Sequence, residues 1–296
     1  EGTSWGSVKA LTDTNTWAYS PSITVSGQFV HIVWFDERDG NLEIYYKRST
    51  NYGVDWENDV RLTYNGFSSA NPSISASGSV LHVTWSDTRD GNQQVYYKRS
   101  TNSGVGWGSD IRLTVNVAFN GPPSISSYDS NVHVVWHSSG IIYKRSTNGG
   151  LNWSNDTVLY NVENDSRYPS IAVAGTDIYV AWQQYTFNGD IRLKHSENNG
   201  VTWKPEIWIT YEQSQSVAPS VSVTNANIHI LWCDFRTGNA AMFYKHSSDW
   251  GTSWGPDSQI TPTLIAGLHY TIQAYGSKVH LVFEDTSGIS YMRNPT

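Results

Sequence analysis

A Pro-Ser-Ile or Pro-Ser-Val tripeptide begins at Pro21, Pro72, Pro123, Pro169 and Pro219, and an aromatic residue closes an apolar run at Trp34, Trp85, Trp136, Trp182, Trp232 and Phe283. The second series is spaced by 51, 51, 46, 50 and 51 residues. A fixed period of this length marks an array of one supersecondary unit, repeated here six times. Each unit reads as four short strands, for example PSITVSG, FVHIVWFD, LEIYYKRST and DVRLT, with turn residues such as Ser26-Gly27 and Gly40-Asn41 between them. No stretch carries a helical period. The chain is therefore expected to be all-β, a six-bladed β-propeller with four antiparallel strands per blade, an arrangement that leaves few sheet edges exposed.

A single propeller domain is expected over residues 1–296, with repeats near 17–63, 68–114, 119–160, 165–210 and 215–261, the sixth built from 266–296 plus 1–12. That last assignment comes from a motif at the start of the chain. GTSWG stands at residues 2–6 and again at 251–255, where it closes the longer SSDWGTSW. Counting from Trp254 through residue 296 and on to Trp5 gives 47 steps, within the period. The N-terminal VKALT segment, Val8 to Thr12, is expected to be the outermost strand of the last blade, joining the two termini in one sheet.

SSDWGTSW belongs to a series with STNYGVDW, STNSGVGW, STNGGLNW and SENNGVTW. The series resembles the Asp-box, S-x-D-x-G-x-[TS]-W, of sialidase-like propellers, in which these are also called BNR repeats. Asn51, Asn102, Asn148 and Asn198 stand where the box has its carboxylate, and only Asp249 keeps it; either side chain caps a tight turn through its oxygen. The resemblance implies that the boxes join the third and fourth strands on the face away from the active site. Ligand chemistry is then expected on the opposite face, with the loops between blades and the hairpins joining strands two and three.

Three of those hairpins read WFDERDGN, WSDTRDGN and WCDFRTGN, which sets Asp36 with Arg38, Asp87 with Arg89 and Asp234 with Arg236. Each Asp either caps its own hairpin and pairs with its Arg, or the Arg forks ring a pocket that grips a carboxylate or sugar hydroxyls. Rings precede the Pro-Ser tripeptides at Trp17, Phe67 and Phe119, with Tyr168 and Tyr270 at a related point, and flat rings at a pocket mouth suit stacking on a sugar. His31, His82, His133, His229 and His280 share one repeat position in the second strand. Equivalent positions on different blades do not converge at metal-ligand distance, so a packing or hydrogen-bonding role is expected and no metal site. RDGN is too short for a calcium signature, and no cofactor is expected.

Sialidases hold the substrate carboxylate with three arginines and use a Tyr nucleophile paired with a Glu, together with an Asp acid/base. The first arginine would precede the first inner strand, where this chain has Ser20 and Pro21; Arg167 in RYPSI is the nearest echo, and SVAPSV stands where the third would fall. Tyr270, followed by Glu284 and Asp285, matches the place of the nucleophile. A Tyr near its ordinary pKa of about 10 needs a carboxylate base to attack at neutral pH. The reading is a carbohydrate-binding sialidase-like propeller without the full catalytic set, its ligand residues drawn from Trp17, Asp36, Arg38, Phe67, Asp87, Arg89, Phe119, Arg167, Tyr168, Asp234 and Arg236. A divergent glycoside hydrolase using Tyr270 or two of the carboxylates, and an extracellular protein-interaction scaffold, are the alternatives.

Composition narrows the partners. A net charge of −7 with no cationic tract argues against nucleic acid and anionic membranes. No apolar run is long enough to span a bilayer, and no targeting segment is seen. With one cysteine, Cys233, no internal disulfide can form. A glycan or other small polar ligand is the expected partner, a protein partner is left open, and the resemblance implies a secreted or cell-surface location.

Overall fold

The computed structural model describes residues 10–12, 18–115, 119–162, 165–185, 189–211, 214–261, 265–275, 278–285 and 288–293. Among them are 23 strands and no helix. The first blade is β1–β4 (Ala18–Ser26, Phe29–Asp36, Glu43–Ser49, Val60–Arg61) and the second is β5–β8 (Ser69–Ser77, Val80–Asp87, Gln94–Ser100, Ile111–Arg112). The third is β9–β12 (Ser124–Tyr128, Asn131–His137, Ile141–Ser146, Thr157–Tyr160). The fourth is β13–β16 (Ser166–Ala174, Asp177–Gln184, Asp190–Ser196, Ile207–Trp208). The fifth is β17–β20 (Ser216–Thr224, Asn227–Asp234, Ala241–Ser247, Ser258–Gln259), and the sixth contains β21–β23 (Ile265–Tyr275, Lys278–Asp285, Gly288–Arg293). Every sheet runs in simple chain order. The expectation of an all-β, six-bladed propeller holds.

The chain divides into two compact units, residues 1–132 with 146–154 and residues 133–145 with 155–296. Each has its own core. In the first, Val33, Ile44 and Tyr46 of one blade pack with Ile74, Val83 and Trp85 of the next. In the second, Tyr179, Ile191 and Leu193 pack with Val221, Ile230 and Trp232. The alternation of the first strand of each blade and the near-continuous burial of the second follow from one half-covered and one fully covered sheet position.

Two local devices recur. The residue before four of the five motif prolines sits at positive φ, at Ser20 (46°), Asn71 (53°), Tyr168 (51°) and Ala218 (50°), where the ladder shifts register. Such a bulge re-aims the side chains just ahead of it, at a cost of about 1–2 kcal/mol for a left-handed non-glycine residue. The serine that follows the proline accepts an amide of the neighbouring blade: Ile74 N on Ser22 Oγ (3.2 Å) and Ile125 N on Ser73 (3.3 Å) in the first unit, Val221 N on Ser170 (3.1 Å) and Ile272 N on Ser220 (3.3 Å) in the second.

Residues 1–9 lie outside the described residues, so the expected pairing of the N-terminal segment with the last blade does too. Leu11 is described, and its carbonyl accepts Lys47 Nζ at 2.6 Å. Leu62, just after β4, accepts Lys98 in the same way, so Leu11 stands toward the first blade as Leu62 does toward the second.

Candidate functional site

The Asp-Arg hairpins close into a four-residue chain within each blade. Asp36 is fully buried, accepts Trp34 Nε1 at 2.9 Å and takes Arg38 through Nε and Nη2 (3.0 and 2.6 Å). The remaining Arg38 nitrogen reaches Asp59 (2.7 Å), whose other oxygen holds Lys47 (2.8 Å). Asp87–Arg89–Asp110–Lys98 and Asp234–Arg236–Asp257–Lys245 repeat the pattern. Burial alone would raise the carboxyls of Asp87 and Asp234, but bonds from the arginine and tryptophan outweigh it and hold both below the usual range. Each guanidinium also lies over a ring, Tyr45, Tyr96 or Phe243, at 4.3 to 4.4 Å. All three forks are therefore engaged inside their own blades.

The residues aimed outward are others. Phe67 and Phe119 are more than half exposed, at 55% and 58%, in the first unit. In the second, the bulge at Tyr168 leaves both Arg167 and Tyr168 exposed, and the Arg167 guanidinium lies 5.2 Å from the Tyr185 ring. Among the described residues no carboxylate pairs with Arg167. Trp17 falls outside the described residues.

Tyr270 does not present its hydroxyl to solvent. It accepts Cys233 N at 2.8 Å and lies 2.9 and 2.6 Å from the Val217 and Ala218 carbonyls, to which it donates. Burial pushes its pKa well above the ordinary tyrosine value, the opposite of an activated nucleophile. Glu284 and Asp285 lie on β22, paired by backbone with Ile289 and Gly288.

The repeated histidines are partnered. His31, His82, His133 and His229 each meet a tyrosine hydroxyl, of Tyr46, Tyr97, Tyr143 and Tyr244, at 2.7 Å. Burial lowers their pKa values to about 4, 4, 3 and 4, keeping them neutral.

A cleft of about 250 Å³ lies between the fourth and fifth blades, lined by Tyr179, Leu193, His195, Lys204, Ile207 and Trp250 among others. His195 Nε2 is 2.8 Å from Asp177, and Glu197 completes a set of three metal-type donors within 4.8 Å of one another. Lys204 holds Glu197 at 2.5 Å. The available signal was a break in the repeat: Tyr179 stands where the five other blades carry His31, His82, His133, His229 and His280, and Leu193 where they carry a tyrosine.

No protein-family model and no curated protein sequence matches the chain. Solved structures do. A variant of the NanB sialidase from Streptococcus pneumoniae is similar over 94% of this chain and 68% of its own, with a TM-score of 0.67 and 11% identity. A protein of unknown function from Dyadobacter fermentans matches at a TM-score of 0.67 and 11% identity, covering 95% of both chains. The Trypanosoma rangeli sialidase matches at 0.62 and 11% over 94% of this chain, which spans only 54% of that enzyme. The chain has the propeller fold of the sialidases.

Proposed function

We propose that this propeller binds carbohydrate and lacks the full sialidase catalytic set, with Arg167, Tyr168 and Tyr185 at the contact surface. The observation that carries the reading is the contrast in the arginines: Arg38, Arg89 and Arg236 are each bound to two carboxylates, whereas Arg167 is exposed and backed by an aromatic face. A guanidinium held by a ring, with an exposed tyrosine next to it, suits a sugar bearing a carboxylate or closely spaced hydroxyls. The buried, backbone-bonded Tyr270 and the Ser20-Pro21 substitution support loss of the ordinary hydrolysis. Among the structural neighbours, the Trypanosoma rangeli sialidase is seen with the inhibitor DANA. A secreted or cell-surface location accords with this reading.

The test is a glycan array followed by titration of the retained sugar. Saturable binding is expected, at least tenfold weaker in Arg167→Ala, with no release of fluorophore from a panel of aryl glycosides. An array with no retained glycan overturns carbohydrate binding. Turnover that is lost with Tyr270→Phe would replace it with a hydrolase.

A further inference from the structure

The first three blade junctions repeat a single packing solution, and the junction after the fourth blade departs from it. At the first-to-second junction the Tyr46 ring lies edge-on to Trp107 at 5.0 Å, its hydroxyl 3.4 Å from the Ser103 carbonyl, while Arg48 Nη1 reaches the same carbonyl at 2.8 Å. Tyr97 with Arg99 and Tyr143 with Arg145 repeat the ring and guanidinium contacts at the next two junctions, their rings on Trp153 and Trp203 and their guanidinium nitrogens on the Gly149 and Asn199 carbonyls at 2.8 and 2.5 Å. The fit is tight enough that a Cβ on Gly104, Gly150 or Gly200 would sit 1.8–1.9 Å from the tyrosine hydroxyl.

Between the fourth and fifth blades both fillers are smaller. Leu193 replaces the tyrosine and His195 the arginine. Tyr179, entering from the neighbouring strand, restores only the hydroxyl bond, reaching the Trp250 carbonyl at 3.4 Å. Among the described residues that carbonyl receives no guanidinium. A Cβ on Gly251 would find its nearest atom, Ile228 Cδ1, at 3.2 Å, and the cleft of about 250 Å³ opens where the phenol and guanidinium lie elsewhere. Its walls are the stacked pair Tyr179 and His195, with ring centroids 4.2 Å apart, the apolar Leu193 and Ile207, and the ring of Trp250, exposed at 41%.

We propose that this cleft is a binding site for an aromatic ring carrying a cationic group, the chemistry of an arylalkylamine. The ring takes the place of the missing tyrosine, against Leu193 and beside Trp250. The ammonium donates to the Trp250 carbonyl, which has the geometry that in three sister junctions accepts a guanidinium. Asp177, bound to the lining residue His195, brings a carboxylate behind the cleft wall, and Lys204, the one cation among the lining residues, is neutralised by Glu197. Clefts lined mainly by apolar and aromatic side chains with a few polar groups are the usual form of small-ligand sites.

The experiment is calorimetric titration of the intact chain with tyramine, p-cresol and methylammonium. Tyramine is expected to bind saturably at one site, with p-cresol and methylammonium each at least tenfold weaker. The variant Tyr179→His/Leu193→Tyr/His195→Arg, which rebuilds the sister junction, is expected to abolish binding. Should that variant fail to fold, nuclear Overhauser contacts between tyramine ring protons and the Leu193 methyls of the unmodified chain decide the location. No saturation by tyramine, equal affinity for p-cresol, binding retained in the refilled variant, or absence of the Leu193 contacts would each overturn the proposal. The glycan reading rests on other residues and is untouched by any of these outcomes.

Discussion

The first and fourth blades share strand order and register yet differ in how their polar groups are satisfied. In the first, Trp34 donates to Asp36 and the Arg38–Asp59–Lys47 chain continues from it. In the fourth, Gln184 occupies the place of the aspartate and takes Arg192 at 2.6 Å, and the buried Trp182 Nε1 is left without a partner. The paired histidine and tyrosine of the first blade become Tyr179 and Leu193 in the fourth. The first blade is thus a self-contained network, and the fourth has given up polar saturation and side-chain volume at the same places where a cleft and an exposed arginine occur. Repetition of a structural solution, and its local loss, separates scaffold from candidate site here better than residue type does.

The largest test of this contrast is acid. Histidines lowered from 6.5 to about 3–4 in the fold stabilise it fully above pH 6.5. As pH falls from there toward 4, the unfolded chain binds protons that the fold refuses, and stability drops by up to about 1.4 kcal/mol per pH unit for each histidine. Urea midpoints measured between pH 7 and 4 should fall steeply, His82→Gln should reduce the slope by about one proton, and Tyr179→Phe should leave it unchanged.

Next comes the glycine pair. Gly104→Ala places a methyl 1.9 Å from the Tyr46 hydroxyl at φ +82° and is expected to cost about 3 kcal/mol or more. Gly251→Ala, at φ +80° but with room, should cost only about 1–2 kcal/mol in the same denaturation assay. Equal losses would dissolve the distinction between filled and open junctions.

A smaller effect is expected at the carboxylates. Asp87→Ala strands Trp85 Nε1, Ser69 and Arg89, for about 2–3 kcal/mol once the partial exposure of the arginine is allowed for. The reverse change, Gln184→Asp, offers Trp182 an acceptor and should stabilise by about 0.5–1 kcal/mol, read as a rise in the urea midpoint.

The spacing of Trp34 through Phe283 was enough to read the blade number and strand order, because a sheet that must bury both faces imposes its pattern on every copy. The Asp-Arg pairing was legible as one of two readings, since adjacent hairpin residues with opposite charge meet by proximity alone. That Arg38 also engages Asp59, 21 residues away, was not, because the contact depends on how the fourth strand returns. The cleft escaped for a related reason: a search for what repeats is blind to Tyr179, Leu193 and His195, which matter by failing to repeat. Tyr270 reads from the sequence as a residue of the last blade, but only the fold reveals that its hydroxyl binds the backbone of the neighbouring blade.

The serine hydroxyls that accept an amide from the adjoining inner strand join residues 51 or 52 positions apart, one full period. Each repeat therefore carries one half of a fastener at its leading strand and offers the other half to the copy before it. A whole repeat gained or lost during the history of such a chain leaves both halves matched, whereas a partial one does not. Growth and shortening by complete units is thus built into the hydrogen bonding at the inner strands.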